Sequence, residues 1–404
     1  MGVEKVDDLA ARLLSGLRGA YGIHEGQPIL FVQAPSFIEL AGGYTDHEGG
    51  HGIVAAIDNY VSGVFQANGS KIVRISGDGF ESMGVFLEDL STRAAEKGKV
   101  VAVVRGLAAQ MKSLGAMPVG FDAYLKADGP MDKSQNYLSA FELVCAQAMN
   151  VLWIQGAQRP SRLALMAKRS EIEWFGALGG SIGQIACALG GIQYISSAES
   201  DSPKIDTIGV DFESTGYEIY RVHVVPDSAE SSNEHAVIAE KMRAVADDLG
   251  AELLGELSIE DVMSHISALR HDVGDHAVLC ALQYFHEESL VKARADALTR
   301  SDMEQFCRLT RDSATFSALL LQGGQTCPAD AQHKQSLLLG LALGISLLSE
   351  QGACRIYDME DDAIQAFVPK DVYENFMDGM DEAFGAGATC PCAIESEGIS
   401  CHWL

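Results

Sequence analysis

The residues best suited to chemistry lie between positions 34 and 50, a stretch that reads Ala-Pro-Ser-Phe-Ile-Glu-Leu-Ala-Gly-Gly-Tyr-Thr-Asp-His-Glu-Gly-Gly. Asp46 stands near its end, with Glu39, Tyr44 and His47 close by in the chain. An aspartate carboxylate can accept strong, directional hydrogen bonds from paired hydroxyl groups of a ligand. The same Thr-Asp-His sequence, followed by glycines, also favours an Asx turn. Asp46 is therefore either a ligand contact or a turn former.

Two other clusters carry side chains that can bind metal ions. Residues 358–362 read Asp-Met-Glu-Asp-Asp, and clustered carboxylates suit hard divalent cations, although charge runs more often form solvated turns. Near the C-terminus, Cys390, Cys392, Cys401 and His402 combine thiol and imidazole groups that suit zinc. Their spacing matches no common zinc module, so the alternative for these residues is a C-terminal pair of strands.

The surrounding sequence predicts the elements that must position these residues. Leucines at helical spacing predict an amphipathic helix over residues 7–21, and residues 29–33 form a short strand leading into the 34–50 stretch. Asn68-Gly69 lies between two strand-like runs, 60–67 and 71–76, and predicts a β-hairpin. The remaining predicted elements are helices over residues 100–114, 137–153, 162–175 and 181–189, strands over 120–126, 191–196, 217–225, 353–357 and 363–368, and a mainly helical chain from residue 234 onward.

The length of the chain predicts two domains and the order of its elements an α+β fold. A chain of 404 residues is too long for one ordinary hydrophobic core. A polar Glu-Ser-Asp-Ser-Pro linker begins at residue 199 and places the boundary, so the predicted domains cover residues 1–203 and 204–404.

Composition and charge exclude several classes of partner. The net charge of −27 disfavours nucleic acid, whose binding needs basic patches, and it disfavours anionic membrane surfaces. The N-terminal residues lack the pattern of a secretory signal, and the longest apolar run, residues 336–348, is too short to cross a bilayer of about 30 Å as a helix. Nine cysteines, mostly scattered singly, indicate reduced thiols, and we expect a cytoplasmic protein.

The 34–50 stretch resembles the sugar-binding signature of galactokinases of the GHMP kinase superfamily, and the resemblance continues along the chain. Similar segments follow in the family's order and spacing: Gly120-Phe-Asp-Ala-Tyr, Ala140-Phe-Glu, residues 169–176, residues 180–184, Gly274-Asp-His-Ala-Val-Leu and Gln365-Ala-Phe-Val-Pro. The later segments are similar to clostridial-type galactokinases. This resemblance implies a two-domain GHMP-kinase-like fold, with an N-terminal domain like domain 2 of ribosomal protein S5 and a ferredoxin-like, helix-rich C-terminal domain.

The resemblance also implies residue roles, and several of the expected residues are replaced. The catalytic aspartate of the family, which precedes a glutamine, corresponds to Gly183, and the glutamine is retained as Gln184. The arginine that holds this aspartate corresponds to Phe37. Asp46 matches the aspartate that binds sugar hydroxyls, surrounded by Glu39, Tyr44 and His47. Glu171 matches a magnesium-holding glutamate in related kinases, with a helix-surface glutamate as the alternative.

The nucleotide-binding motifs of the family are degenerate. Its phosphate loop resembles Gly-Ser-Gly-Leu-Ser-Ser-Ser-Ala, in which glycines let backbone N–H groups approach phosphates. The matching residues 132–139 read Asp-Lys-Ser-Gln-Asn-Tyr-Leu-Ser, without a glycine and with Asp132 at the phosphate position. The acidic residues 358–362 replace a glycine-rich loop, and the tyrosine of the second domain corresponds to His235.

These replacements predict a galactokinase-like pseudokinase that binds a sugar or acts through protein partners. The expected ligand is a neutral monosaccharide near Asp46, Glu39, Tyr44, His47 and Gln184. The expected partner is either another protein or a paralogous kinase. One alternative is an ATP-dependent galactokinase that uses substitute residues, which alone would require Mg-ATP. Another is an interaction protein without a ligand.

Overall fold

The computed structural model describes residues 6–129, 135–177, 180–196, 202–224, 234–321, 330–358 and 363–404. It has a mixed α+β architecture, as the sequence predicts, and divides into two compact units. Unit 1 comprises Met1–Ile38, Ala55–Gly191 and Glu395–Leu404, and unit 2 comprises Glu39–Val54 and Ile192–Ile394. These units are groups of residues in space, and the division of the chain into domains at residue 203 stays a prediction.

The helices and strands follow most of the predicted elements. The helices are α1 Val6–Tyr21, α2 Val100–Ser113, α3 Gln135–Ile154, α4 Pro160–Ser170, α5 Ile182–Leu189, α6 Glu234–Asp248, α7 Ile259–Asp272, α8 Asp275–Thr299, α9 Met303–Leu320, α10 Asp330–Leu348 and α11 Tyr373–Phe384. The strands are β1 Ile29–Ala41, β2 His51–Ala67, β3 Ile72–Asp78, β4 Phe80–Phe86, β5 Phe121–Ala127, β6 Ile192–Ser196, β7 Lys204–Ile208, β8 Tyr217–His223, β9 Ala353–Asp358, β10 Ala363–Pro369, β11 Thr389–Cys392 and β12 Ser400–Trp403.

Unit 1 is built on a sheet whose strands run in the order β12-β1-β2-β5-β3-β4. The leucine stripe of α1 is buried against this sheet, where Leu13 and Leu17 pack with Phe31 and Val64. Helix α3 is apolar enough and long enough to cross a membrane by composition, but 72% of its 18-residue apolar window is buried. A window buried to that extent is typical of a core helix.

The predicted hairpin at Asn68-Gly69 is wrong. Strands β2 and β3 both form, but β5 lies between them, antiparallel to β2 and parallel to β3. The Asn68 amide donates to the Asp122 carboxylate of β5 at 2.8 Å, and Gly120 donates its N–H to the Ser70 carbonyl at 2.9 Å. Long-range pairing with β5 therefore replaces the local strand pairing that an Asn-Gly turn favours.

Unit 2 contains the four-stranded sheet β11-β8-β10-β9 and the β6–β7 hairpin. Alternate residues of β8 and β10, including Val222, Ile364 and Ala366, join the core formed with helices α6, α8 and α10. In the register of this sheet, Gln365 of β10 lies opposite Arg221 of β8 on one side. It lies opposite Arg355 of β9 on the other side.

The predicted C-terminal pair of strands is also wrong. Strand β11, which carries Cys390 and Cys392, pairs with β8 in one sheet. Strand β12, which carries Cys401 and His402, pairs with β1 in the other sheet. Both segments are strands, but each is the edge partner of a distant strand and not of its neighbour in the sequence.

Candidate functional site

Phe37 fills the space beside Gly183 in unit 1. Gly183 is the second residue of α5, and a Cβ atom at this position would lie 2.5 Å from Phe37 Cε1 and 2.6 Å from Cζ. It would also lie 2.9 Å from Ser139 Oγ. The Phe37 side chain comes from β1 and is only 9% exposed. The two positions at which the family has a carboxylate and its arginine are therefore packed against each other here, without a charge.

Gln184, the next residue of α5, links two buried glutamates. Its Nε2 donates to Glu171 Oε2 at 2.7 Å and to Glu142 Oε2 at 3.0 Å. Burial raises the pKa of Glu142 well above its usual value, and the charge of Glu171 adds to the rise, whereas the hydrogen bond from Gln184 opposes it. Burial therefore favours the protonated form of Glu142, and one amide serves both carboxyl groups.

Glu171 is not the surface residue that the alternative interpretation expects, because it is only 3% exposed. It begins a π-helical turn, Glu171–Phe175, that follows α4, and this irregular turn directs its side chain into the interior. Among the described residues, no three His, Cys, Asp or Glu side chains converge in a way that could hold a metal ion. The assignment of Glu171 to magnesium stays a prediction.

Most of the segments that the resemblance predicts to face phosphates lie outside the described residues. These include residues 130–134 with Asp132 and Lys133, and residues 359–362 of the acidic cluster. Tyr137 and Leu138, which stand where the family has small residues, are both buried at the start of α3. A Cβ atom on Gly129 would lie 2.5 Å from Tyr137 Cζ, so the tyrosine ring packs directly on the backbone that leads into this segment.

The segment around Asp46 belongs to unit 2 and forms a tight, irregular loop. Gly42, Gly43 and Tyr44 all have positive φ, with 67° at Tyr44, and a short 3-10 helix covers Asp46–Glu48. The left-handed region is uncommon for a residue with a bulky side chain. The loop therefore holds a strained backbone directly before Asp46.

Asp46 lies within this loop. Its side chain is nearly buried, and Oδ1 lies 3.5 Å from His47 Nε2. The rings of Tyr44 and His47 are adjacent, with centroids 6.5 Å apart. In the part of the chain that the structure describes, Asp46 makes no hydrogen bond to the turn backbone, so the Asx-turn interpretation lacks its defining bond. Gln184 lies in unit 1, and its role in a sugar pocket stays a prediction.

Two adjacent glutamates of α8 anchor the Asp46 loop. Glu287 Oε1 accepts the N–H of Gly42 at 2.9 Å. Glu288 Oε2 accepts the N–H of His51 at 2.8 Å, and its other oxygen contacts the His51 ring. Because these bonds hold the residues before and after Asp46, the position of its carboxylate depends on α8.

Buried charges extend this anchor into the interior of unit 2. Glu39 Oε1 accepts the N–H of Gly43 at 2.6 Å. Burial raises the pKa of Glu39 to about 8, although the charge of Arg355 opposes the rise. Burial alone would also raise the pKa of Glu287, but the charges of Arg294 and Arg355 outweigh it and lower that pKa.

The sequence analysis missed Glu287, Glu288, Arg294 and Arg355. A signal for two of them was present, since Glu287 and Arg294 are seven residues apart and share one face of a predicted helix.

The structure describes contacts for three of the C-terminal residues that could bind metal. Cys401 accepts a hydrogen bond from Gln147 at 3.2 Å, and the ring of His402 lies against Phe31 with centroids 5.0 Å apart. The Cys390 thiol lies 3.7 Å from the Gly387 carbonyl. These contacts are ordinary for strand residues, and whether the cysteines bind metal stays untested. The side chain of His235 lies outside the described residues.

Comparison with solved structures defines the class of fold. Lactococcus lactis galactokinase, in a crystal structure complexed with galactose, superposes with a TM-score of 0.78 at 16% identity, covering 97% of this chain and 99% of that chain. A D-glycero-D-manno-heptose 1-phosphate kinase from Bacteroides thetaiotaomicron gives a TM-score of 0.62 at 13% identity, covering 92% and 98%. The fold is therefore that of the GHMP kinases, in agreement with the expected α+β architecture.

Comparison of sequences shows which of these kinases the chain resembles. The galactokinase of Lactococcus lactis subsp. lactis, strain IL1403, is 22% identical over 347 residues, covering 83% of this chain and 84% of the relative. No family model matches the chain. The sequence relatives and the structural neighbours agree: the chain is galactokinase-like in sequence and has the fold of the GHMP kinases.

Proposed function

We propose that this chain is a cytoplasmic, catalytically inactive galactokinase-like protein that binds a monosaccharide through the loop around Asp46. The observation that carries the inactivity is the packing of Phe37 beside Gly183, where a Cβ atom would lie 2.5 Å from the ring. The family's carboxylate orients or deprotonates the sugar hydroxyl at this position. A positioned base contributes roughly 10²–10⁴-fold to a rate, and neither glycine nor phenylalanine can take a proton.

A phosphoryl-transfer assay tests the inactivity. Purified protein with galactose, ATP and magnesium is expected to give no sugar phosphate above a control without enzyme, while the Lactococcus lactis galactokinase serves as the positive control. Turnover near one per second, within the usual range for kinases of about 1–100 per second, would contradict the proposal and favour a kinase that uses substitute residues.

Two observations support sugar binding. The Asp46 carboxylate makes no backbone bond in the described part of its loop, and Glu287 and Glu288 fix that loop on both sides. Calorimetry with a panel of monosaccharides, on wild type and Asp46→Asn, tests the proposal. Asp46→Asn keeps the shape but removes the charged acceptor, so affinity should fall by about 1.5–3 kcal/mol per lost hydrogen bond. If no sugar binds wild type at millimolar concentration, the interaction protein without a ligand becomes the better account.

The cytoplasmic location rests on the cysteines. The eight cysteines in the described part of the chain are free thiols, and six of them are buried. Free thiols are typical of a reducing compartment. Labelling of the protein in cells with a thiol reagent before and after denaturation would show whether these cysteines are reduced where the protein resides.

A further inference from the structure

A buried cluster of polar and charged side chains lies beside the Asp46 loop in unit 2. We call it the arginine cluster, and its members are Glu39, Glu287, Arg294, Arg355 and Gln365. Glu287, Arg294 and Gln365 are fully buried, Arg355 is 6% exposed, and Glu39 is partly exposed. Buried charges are costly unless they are paired and hydrogen-bonded. The hydrogen bonds of the cluster should therefore be complete if its role is structural.

The hydrogen bonds of the cluster are incomplete on the donor side. Glu287 is well satisfied, since it pairs with Arg294 and accepts bonds from Ser313 Oγ at 2.5 Å and Gly42 N–H at 2.9 Å. Among the described residues, however, four buried donors have no partner: Arg294 Nε, Arg294 Nη1, Arg355 Nη1 and Gln365 Nε2. The acceptor Oε1 of Gln365 has no partner either. More than 90% of buried polar groups in native proteins are hydrogen-bonded, so this group of unused donors indicates a missing acceptor.

The unused groups of Arg355 and Gln365 lie on the same face of the four-stranded sheet. The two residues lie opposite each other on β9 and β10, which puts their side chains on one face of the sheet with Cβ atoms about 4.5–5.5 Å apart. A Cβ atom on Gly43 would lie 3.3 Å from Arg355 Nη2, so the guanidinium lies against the backbone of the Asp46 loop. An acceptor bound there would be adjacent to the proposed sugar contacts.

The charges of the cluster favour an anion. Arg294 and Arg355 are cations and Glu287 is an anion. Burial raises the pKa of Glu39 to about 8, which leaves that carboxyl neutral at pH 7. These four groups therefore carry an excess of one positive charge, and the two charged neighbours, Arg221 opposite Gln365 and Asp46 beside Glu39, are of opposite sign and leave that excess unchanged. Asp46 also acts on Glu39 electrostatically, and its own contact is His47 at 3.5 Å.

We propose that Arg355 and Gln365 bind the carboxylate of an acidic monosaccharide, a hexuronic acid, whose hydroxyl groups are held by Asp46. This inference rests on the proposed sugar-binding function and replaces the neutral sugar that the sequence favours. A guanidinium matches a carboxylate with two parallel hydrogen bonds, and the Gln365 amide can donate to the carboxylate and accept from a neighbouring hydroxyl. A monoanion neutralises the excess charge, whereas a phosphate dianion would add a negative charge beside Glu287 and Asp46.

Calorimetry on the intact protein tests this inference. D-galactose and D-galacturonate form a matched pair, because they differ only in the group at carbon 6, and D-galactose 6-phosphate distinguishes a phosphate from a carboxylate. We expect galacturonate to bind wild type at least tenfold more tightly than galactose. Arg355→Met should abolish this preference. Lys292→Met, on the exposed surface of α8 with the side chain 76% exposed, should leave it unchanged.

Each result of this experiment has a defined meaning. If galactose binds as tightly as galacturonate, or galactose 6-phosphate binds most tightly, the carboxylate inference is overturned and the sugar-binding function stands. If none of the sugars binds, the proposed function fails as well. Because Arg355→Met could unfold the protein, Arg355→Lys is the second variant. It keeps the charge but loses the paired hydrogen bonds, and it should reduce the preference by at least tenfold. An unchanged preference in folded Arg355→Lys contradicts the inference.

Discussion

Replacing Gly183 with alanine tests directly whether Phe37 occupies the space of the missing carboxylate. The added methyl group would lie 2.5 Å from Phe37 Cε1, whereas carbon atoms pack best at about 3.5–4.0 Å. The ring must therefore move by about 1 Å, although it is almost completely buried. Overpacking of this kind costs about 1–3 kcal/mol. Alanine gains about 0.5–1 kcal/mol over glycine within a helix, so we expect Gly183→Ala to lower the free energy of unfolding by up to about 2 kcal/mol.

Gly19→Ala is the matched control. Gly19 lies in α1, and a Cβ atom there would meet no atom within 4 Å. The control should therefore show the helix gain alone and stabilise the protein by about 0.5–1 kcal/mol. Urea denaturation of wild type and both variants, with the slope compared as well as the midpoint, measures the difference between the two sites.

A second background separates the ring from the rest of the site. Phe37→Ala by itself should cost about 3–5 kcal/mol, but it removes the nearer obstacle to a side chain at position 183 and leaves only the rotatable Ser139 hydroxyl, at 2.9 Å. In that background Gly183→Ala should become neutral or stabilising, and the coupling between the two substitutions should be about 1–3 kcal/mol. If Gly183→Ala stabilises the wild-type protein as much as Gly19→Ala does, the ring does not block this position and our reasoning about inactivity is wrong.

Three further outcomes are expected. Millimolar ATP with magnesium should leave the melting temperature essentially unchanged, whereas a ligand at 100 times its dissociation constant would add about 2.7 kcal/mol; a shift saturating in the micromolar range would contradict this. Glu142 keeps a proton in the folded state that the unfolded chain loses above its usual pKa of about 4.3. The free energy of unfolding should therefore fall as the pH rises from that value. Glu142→Gln should weaken this fall, whereas the exposed control Glu173→Gln should not. Arg294→Met leaves buried Glu287 without its cation and should cost about 3–5 kcal/mol in urea denaturation, against less than about 1 kcal/mol for exposed Lys292→Met.

The regular elements of the fold could be predicted because their signals are local. Helix α2 ends one residue before its predicted end, and strand β10 continues one residue past its predicted end. Strand β1 continues eight residues beyond the predicted end at Gln33, to Ala41, because the prediction ended the strand where the 34–50 stretch begins. A strand inside a sheet is stabilised by its neighbours, and these neighbours cannot be read from the local sequence.

The errors in the fold and in the site have a common physical cause. Asn68-Gly69 carries the strongest local hairpin signal, yet Asn68 binds Asp122 of β5, more than 50 residues away in the chain. Glu171 is a residue type that is common on surfaces, but it is buried and accepts a hydrogen bond from Gln184 of α5, 13 residues further along the chain. In each case the deciding partner is distant in sequence, and a sequence read segment by segment does not contain it.

The two proposed properties of this protein depend on opposite kinds of packing. Beside Gly183, the Phe37 ring fills the space of the carboxylate that the family has at this position. An aspartate restored at position 183 alone would therefore be buried against Phe37 without a cation. Restoring an arginine at position 37 alone would likewise bury a charge without a partner. If the proposed inactivity is correct, neither substitution alone would restore the charged pair. Beside Asp46, in contrast, the protein keeps buried charges that cost stability. Apolar side chains would pack there at lower cost, and the donors left unused on Arg355 and Gln365 are most simply explained by a ligand that completes them.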